Sequence, residues 1–134
     1  MSTVVEPSVL AGGPRWLACW DHLVRLVPGD EVVAVRNIPA TLAIFDSHFP
    51  RFPVLPGVVL LASAAGLAEL VLGGSWRLAE VSRLRFRHFV GPGDQAEITV
   101  RVLGAGECGV TVAVDGRTVA SARRLRLTRT RGAM

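Results

Sequence analysis

From Val54 to Ala68 the chain carries no charge, and the first charged residue after that run is Glu69. Leu55-Pro56-Gly57 opens the run. Proline pre-sets φ for a first helical turn and lacks the N–H that would be orphaned there, so this tripeptide reads as a helix start. The residues that follow are helical in propensity and have no polar face until Glu69, and Gly73-Gly74 supplies the stop. A helix that is apolar all round is buried all round. A bilayer span needs about 20 apolar residues, and Pro56, Gly57 and Glu69 interrupt or bound this run, so a buried core helix is expected and not a membrane helix. The rest of the chain must enclose it.

The enclosing material reads as strands. Leu23–Val27 and Glu31–Ile38 flank Pro28-Gly29-Asp30, a hairpin turn in which proline fixes φ and glycine frees it. After the helix, Val81–Val90 alternates Arg83, Arg85 and Arg87 with Leu84 and Phe86, which predicts one wet face and one buried face. Gly91-Pro92-Gly93-Asp94 turns the chain. Ala96–Val102, Val110–Val114 and Val119–Thr128 repeat the alternation, with Asp115-Gly116 a strong hairpin signal between the last two. Two strands, one long helix and then a run of antiparallel strands give an α+β fold, a curved antiparallel sheet wrapped around one central helix. At 134 residues the chain is expected to be one domain over 14–134 with a basic C-terminal tail, preceded by a flexible leader over 1–13.

All fifteen basic residues are arginine, and the formal charge is +4. The excess is local: Arg123, Arg124, Arg126, Arg129 and Arg131 lie in Ala120–Met134 without an acid. Such a patch suits an acidic partner. No nucleic-acid motif accompanies it and aromatic residues for base stacking are sparse, so nucleic acid is not expected. Cys19 and Cys108 match no metal-ligand spacing and demand no disulfide; no metal and no cofactor are expected. His22, beside Asp21, reads as a surface or strand-edge residue. No basic-then-apolar leader is visible, which points to the cytoplasm.

His48 stands among prolines just before the helix start. Its ordinary pKa lies near neutrality, which suits a general base. Free N–H groups at Gly57 and Val58 would sit at the positive end of the helix dipole, where they can stabilise a developing oxyanion. His48-Phe49-Pro50, with Pro53 and then Leu55-Pro56-Gly57-Val58, resembles the His-Phe-Pro-Gly and Pro-Gly-Val signature of the 3-hydroxyacyl carrier-protein dehydratases, which have the hotdog fold. The segments HLVRLVPGDEVVAVRNI and LRFRHFVGPGDQAEITVRV resemble flanking parts of the same family.

The resemblance implies a homodimer, or a heterodimer with a related hotdog subunit, with active sites at the subunit boundary and an acyl chain delivered on the phosphopantetheine of an acidic acyl carrier protein. Arg123 and Arg124 are then candidates for docking that carrier. His48 would take the α-proton and the amides of Gly57 and Val58 would hold the thioester oxygen. The family's second catalytic group is a Glu or Asp five residues past the helix glycine, and here that position is Ala62. The glycine after His-Phe-Pro is replaced as well, by Arg51. Asp46 is one possible substitute acid; Glu69 is another, about two turns and ~10 Å further along the helix. Three functions follow: the His-supplying subunit of a composite dehydratase in fatty-acid or polyketide synthesis, an enoyl-thioester isomerase using His48 alone, or a weakly catalytic subunit that binds acyl chains or stabilises a partner.

Overall fold

In the computed structural model, residues 2–3, 19–39 and 57–130 are described, and the helix expected at their centre is present as α1 (Gly57–Leu72). Every residue from Val59 to Ala65 is buried, as are Leu67, Ala68 and Val71; among the described side chains of this helix Leu70 alone is well exposed. Gly73 and Gly74 end it with φ of 79° and 89°, and the Gly73 N–H donates to the Glu69 carbonyl at 2.9 Å. Positive φ at these two positions is what glycine permits and other residues resist.

The strands among the described residues are β1 (Ser2–Thr3), β2 (His22–Val27), β3 (Glu31–Asn37), β4 (Trp76–Phe86), β5 (Gln95–Gly104), β6 (Glu107–Val114) and β7 (Arg117–Arg129). They form one antiparallel sheet in the order β1-β4-β7-β6-β5-β3-β2. Val32, Ala34, Val81, Ile98, Val100, Cys108, Val112 and Leu125 project from the sheet into the same core as α1. This is the α+β arrangement expected, a sheet curved around one helix.

The turns follow their residues. Asp115 and Gly116 both have positive φ, 52° and 76°, as a two-residue hairpin between β6 and β7 requires. Pro92-Gly93 sits inside a turn in which the Asp94 N–H donates to Gly91 O, and the Gly91 N–H donates to Asp94 Oδ2 at 2.9 Å. At the first hairpin the Gly29 N–H reaches past its own strands to the Val71 carbonyl at 2.8 Å, tying the turn to the last turn of α1.

One buried polar chain fixes α1 sideways. The Arg36 guanidinium on β3, 1% exposed, donates from Nη1 to Ser63 Oγ at 2.7 Å, and Ser63 Oγ donates to the Cys19 carbonyl at 2.8 Å. Burial pulls the Arg36 pKa below its ordinary value.

Two sequence expectations are corrected. The strand expected over Val81–Val90 starts earlier and stops earlier, because β4 pairs with β7 from Trp76↔Arg129 to Phe86↔Ala120. Arg129 also stacks on the Trp76 ring at 4.9 Å, which extends the pairing back to the helix. Phe86, expected on a buried face, is 52% exposed. Of the expected leader, Ser2 and Thr3 pair as β1 with Ser82 and Val81, while the remainder, like residues 131–134 of the basic tail, lies outside the described residues. His22 lies on the edge strand β2 and is exposed, as expected.

Candidate active site

The site begins at the first turn of α1, whose N–H groups have no acceptor within the helix. No acidic side chain stands in that turn to occupy them. Gly57 is there for space: a Cβ at this residue would lie 2.2 Å from Phe86 Cζ and under 3 Å from both Cε atoms. The Phe86 ring therefore presses directly on the helix start, and a residue with a side chain here would force the ring to move.

Behind that contact a narrow apolar cleft runs between α1 and the sheet. Leu60, Leu61 and Ala64 line it from the helix, and Leu84, Val110 and Val112 from the strands. Its volume is about 20 Å³, the room of a single water molecule. An apolar wall beside the positive end of a helix strengthens any interaction of its amides with a developing negative charge, because the local dielectric is low.

Ala62 is 1% exposed, packed in the core cluster with Ala64, Ala65 and Leu61. It offers the site no proton. Glu69 is committed elsewhere: its Oε2 accepts the Trp76 N–H at 3.2 Å and joins the end of α1 to the start of β4. Twelve residues separate it from Gly57, about 18 Å of helix. It does not reach the helix start. His48, Asp46 and Arg51 lie outside the described residues, as does the side chain of Val58.

The arginines proposed from sequence to dock a carrier are brought together by a bulge. Cys108 pairs with Leu125 and Val110 with Ala122, so Gly109 alone on β6 faces both Arg123 and Arg124 on β7. Both arginines are exposed. Arg124 Nη1 lies 3.7 Å from Glu107 Oε2. What the sequence did not single out is Phe86 as the cover of the helix start; the glycine at position 57 was the available signal, since a close approach is one reason for that residue.

Comparison with known proteins places these features in a family. Residues 25–123 match the model of the ApeI-like family, described as ApeI dehydratase. The 3-hydroxyacyl-[acyl-carrier-protein] dehydratase FabZ of Ruminiclostridium cellulolyticum is 40% identical over 111 residues, covering 75% of this chain and 78% of that protein. FabZ of Streptococcus mutans is 37% identical over 106 residues, with 71% and 76% covered. Among solved structures, the dehydratase heterocomplex ApeI:P from Xenorhabdus doucetiae superposes with a TM-score of 0.73 at 20% identity, over 84% of this chain and 98% of that one. The protein PH1136 from Pyrococcus horikoshii gives 0.70 at 13% identity, over 97% and 96%. The structural likenesses are of fold, and the sequence matches are of family. With a hotdog sheet around one buried helix and the family's helix start at Gly57, this chain belongs to the FabZ- and ApeI-like dehydratases, a family of lyases.

Proposed function

We propose that the chain is the His48-supplying subunit of a composite dehydratase acting on 3-hydroxyacyl groups carried by acyl carrier protein, with a related hotdog subunit contributing the carboxylate. The observation that carries this reading is Ala62, buried at 1% exposure at the family's carboxylate position. Glu69, the nearest acid along α1, is held by Trp76 at the far end of the helix. In this reading His48 removes the α-proton, the first-turn amides of α1 at Gly57 and Val58 hold the thioester oxygen as it gains charge, and the partner's carboxylic acid protonates the departing hydroxyl. The Xenorhabdus structure is of a dehydratase heterocomplex, which is compatible with a site shared between unlike subunits. Arg123 and Arg124 offer the acidic carrier a place to dock, and the assembly belongs in the cytoplasm, where carrier-linked intermediates are built.

The test uses the chain as its own partner. A His48→Ala, Ala62→Glu double variant lacks the base and holds the acid; the wild-type chain has the reverse. Each alone should dehydrate a 3-hydroxyacyl thioester on carrier protein at background rate. Mixed and allowed to exchange subunits, they form dimers with one complete site, and a positioned acid is worth roughly 10²–10⁴ in rate. A mixture that forms mixed dimers and stays at background refutes the composite site.

A further inference from the structure

The face of the sheet turned away from α1 carries a groove of about 470 Å³ across β4, β7, β6 and β5, walled by Arg83, Arg85, Arg87, Arg101 and Arg123. Acids are available on this sheet and are engaged by Arg101 and by arginines outside the groove. Glu31 lies 3.2 Å from Arg25 and 2.8 Å from Arg101, Glu107 is beside Arg124, and Glu80 is 4.0 Å from Arg126. Among the described residues no carboxylate forms an ion pair with Arg83, Arg85, Arg87 or Arg123, whereas Arg101 is paired with Glu31. Arg83 and Arg123 fall between the paired positions Ser82↔Arg124 and Leu84↔Ala122, so like charges face one another on adjacent strands. That arrangement is destabilising by itself.

Backbone irregularities hold it in place. Arg83 has φ of 54°, a conformation rare for a residue with a side chain. It shifts the alternation of β4: Val81 is buried and Leu84 half-buried, three residues apart, and Arg83, Arg85 and Arg87 consequently share the outer face. Directly across, the β7 bulge turns Arg123 onto the same face, opposite the bare backbone of Gly109. Strain and bulges that re-aim side chains gather at functional positions. Beside the arginines runs a cross-strand row of hydroxyls, Arg85↔Ser121, Ser121↔Thr111 and Thr111↔Thr99.

We propose that this groove binds the diphosphate group of a nucleotide. Guanidinium forks match phosphate oxygens in pairs, and hydroxyl groups complete the donors. Alternate residues on β4 stand roughly 6.8 Å apart, a span that two joined phosphates can bridge. Leu103, 55% exposed at the edge of the groove, gives an apolar surface for a base. The volume falls in the range of small-ligand sites. The groove shares Arg123 with the carrier-docking reading, but it and the start of α1 are on opposite faces of the sheet, so it is otherwise separate from the dehydratase site.

Calorimetric titration of the full chain with ADP and with inorganic pyrophosphate, at an ionic strength of about 0.15 M, tests it. Both should bind, ADP at least as tightly as pyrophosphate. Hydrogen bonds to charged groups are worth enough that Arg85→Gln and Arg123→Gln should each weaken ADP at least about tenfold. Arg126→Gln removes one charge from the same sheet outside the groove and should leave binding unchanged, and unperturbed thermal unfolding certifies the fold of each variant. Equal weakening in Arg126→Gln would mean diffuse attraction and overturn the proposal. So would the absence of ADP binding at millimolar concentration, or occupation of the groove by acidic carrier protein with neither diphosphate bound. Because the readout is heat of binding and not turnover, failure here leaves the complementation experiment untouched.

Discussion

Gly57→Ala isolates the contact at the helix start. The added methyl would sit 2.2 Å from Phe86 Cζ, where carbon atoms normally rest at about 3.5–4.0 Å, so the ring must retreat by more than an ångström. Alanine favours a helix over glycine by up to ~1 kcal/mol, so any net loss of stability comes from the ring. Phe86 is already 52% exposed, and it escapes by swinging outward, forfeiting the half of its surface that is still covered. Full burial of such a side chain is worth ~1.5–3 kcal/mol, so the covered half is worth about 0.75–1.5 kcal/mol, and against the helix gain the net cost is about 0–1 kcal/mol. For a domain of this size that is a fall in Tm of at most about 4 °C. Urea unfolding of the wild type, Gly57→Ala, Phe86→Ala and the double variant gives the coupling. With the ring removed, Gly57→Ala should cost nothing or stabilise slightly. If it costs the same in the Phe86→Ala background, the ring is not what position 57 accommodates, and the account of this glycine is wrong.

Ser63→Ala should destabilise the fold by about 1–3 kcal/mol in the same assay, because it takes the acceptor from the buried Arg36 Nη1 and the donor from the Cys19 carbonyl. Glu31 is held below the ordinary carboxylate value of 4.5, first by its hydrogen bonds from Arg101 and then by the charges of Arg25 and Arg101, against the opposing effect of burial. A depressed carboxylate stabilises the folded state above the unfolded pKa and loses that contribution as pH falls through the folded one. The stability difference between wild type and Glu31→Gln should therefore be flat above about pH 5 and shrink below it; a difference that grows on acidification would contradict the assignment.

What could be read from sequence was whatever the local backbone decides. Gly73-Gly74, Pro92-Gly93 and Asp115-Gly116 each fix or free φ by themselves, and the helix end and turns stand where those residues put them. The limits of β4 were not legible, because they depend on Arg129 and the rest of β7, some fifty residues away. The same holds for Phe86, whose inward side meets Gly57 across the fold, and for Arg83, whose positive φ shifts an alternation that a plain two-residue period would have continued. In the candidate site, the significance of Ala62 came from family resemblance, since an alanine on an apolar helix carries no signal of its own. The structure adds that it is sealed in the core and that Glu69 is engaged elsewhere.

The strand order has a cost during synthesis. β3 lies beside β5 although α1 and β4 come between them in the chain, and β4 must wait for β7 across the intervening β5–β6 hairpin. A ribosome making this protein releases its most water-averse segment, α1, before residues 95–129 exist to cover it. Pairings that close long loops are slow, and exposed apolar surface is what aggregates meanwhile. The chain's yield in a cell should therefore respond to chaperone supply and to growth temperature more than its finished stability suggests.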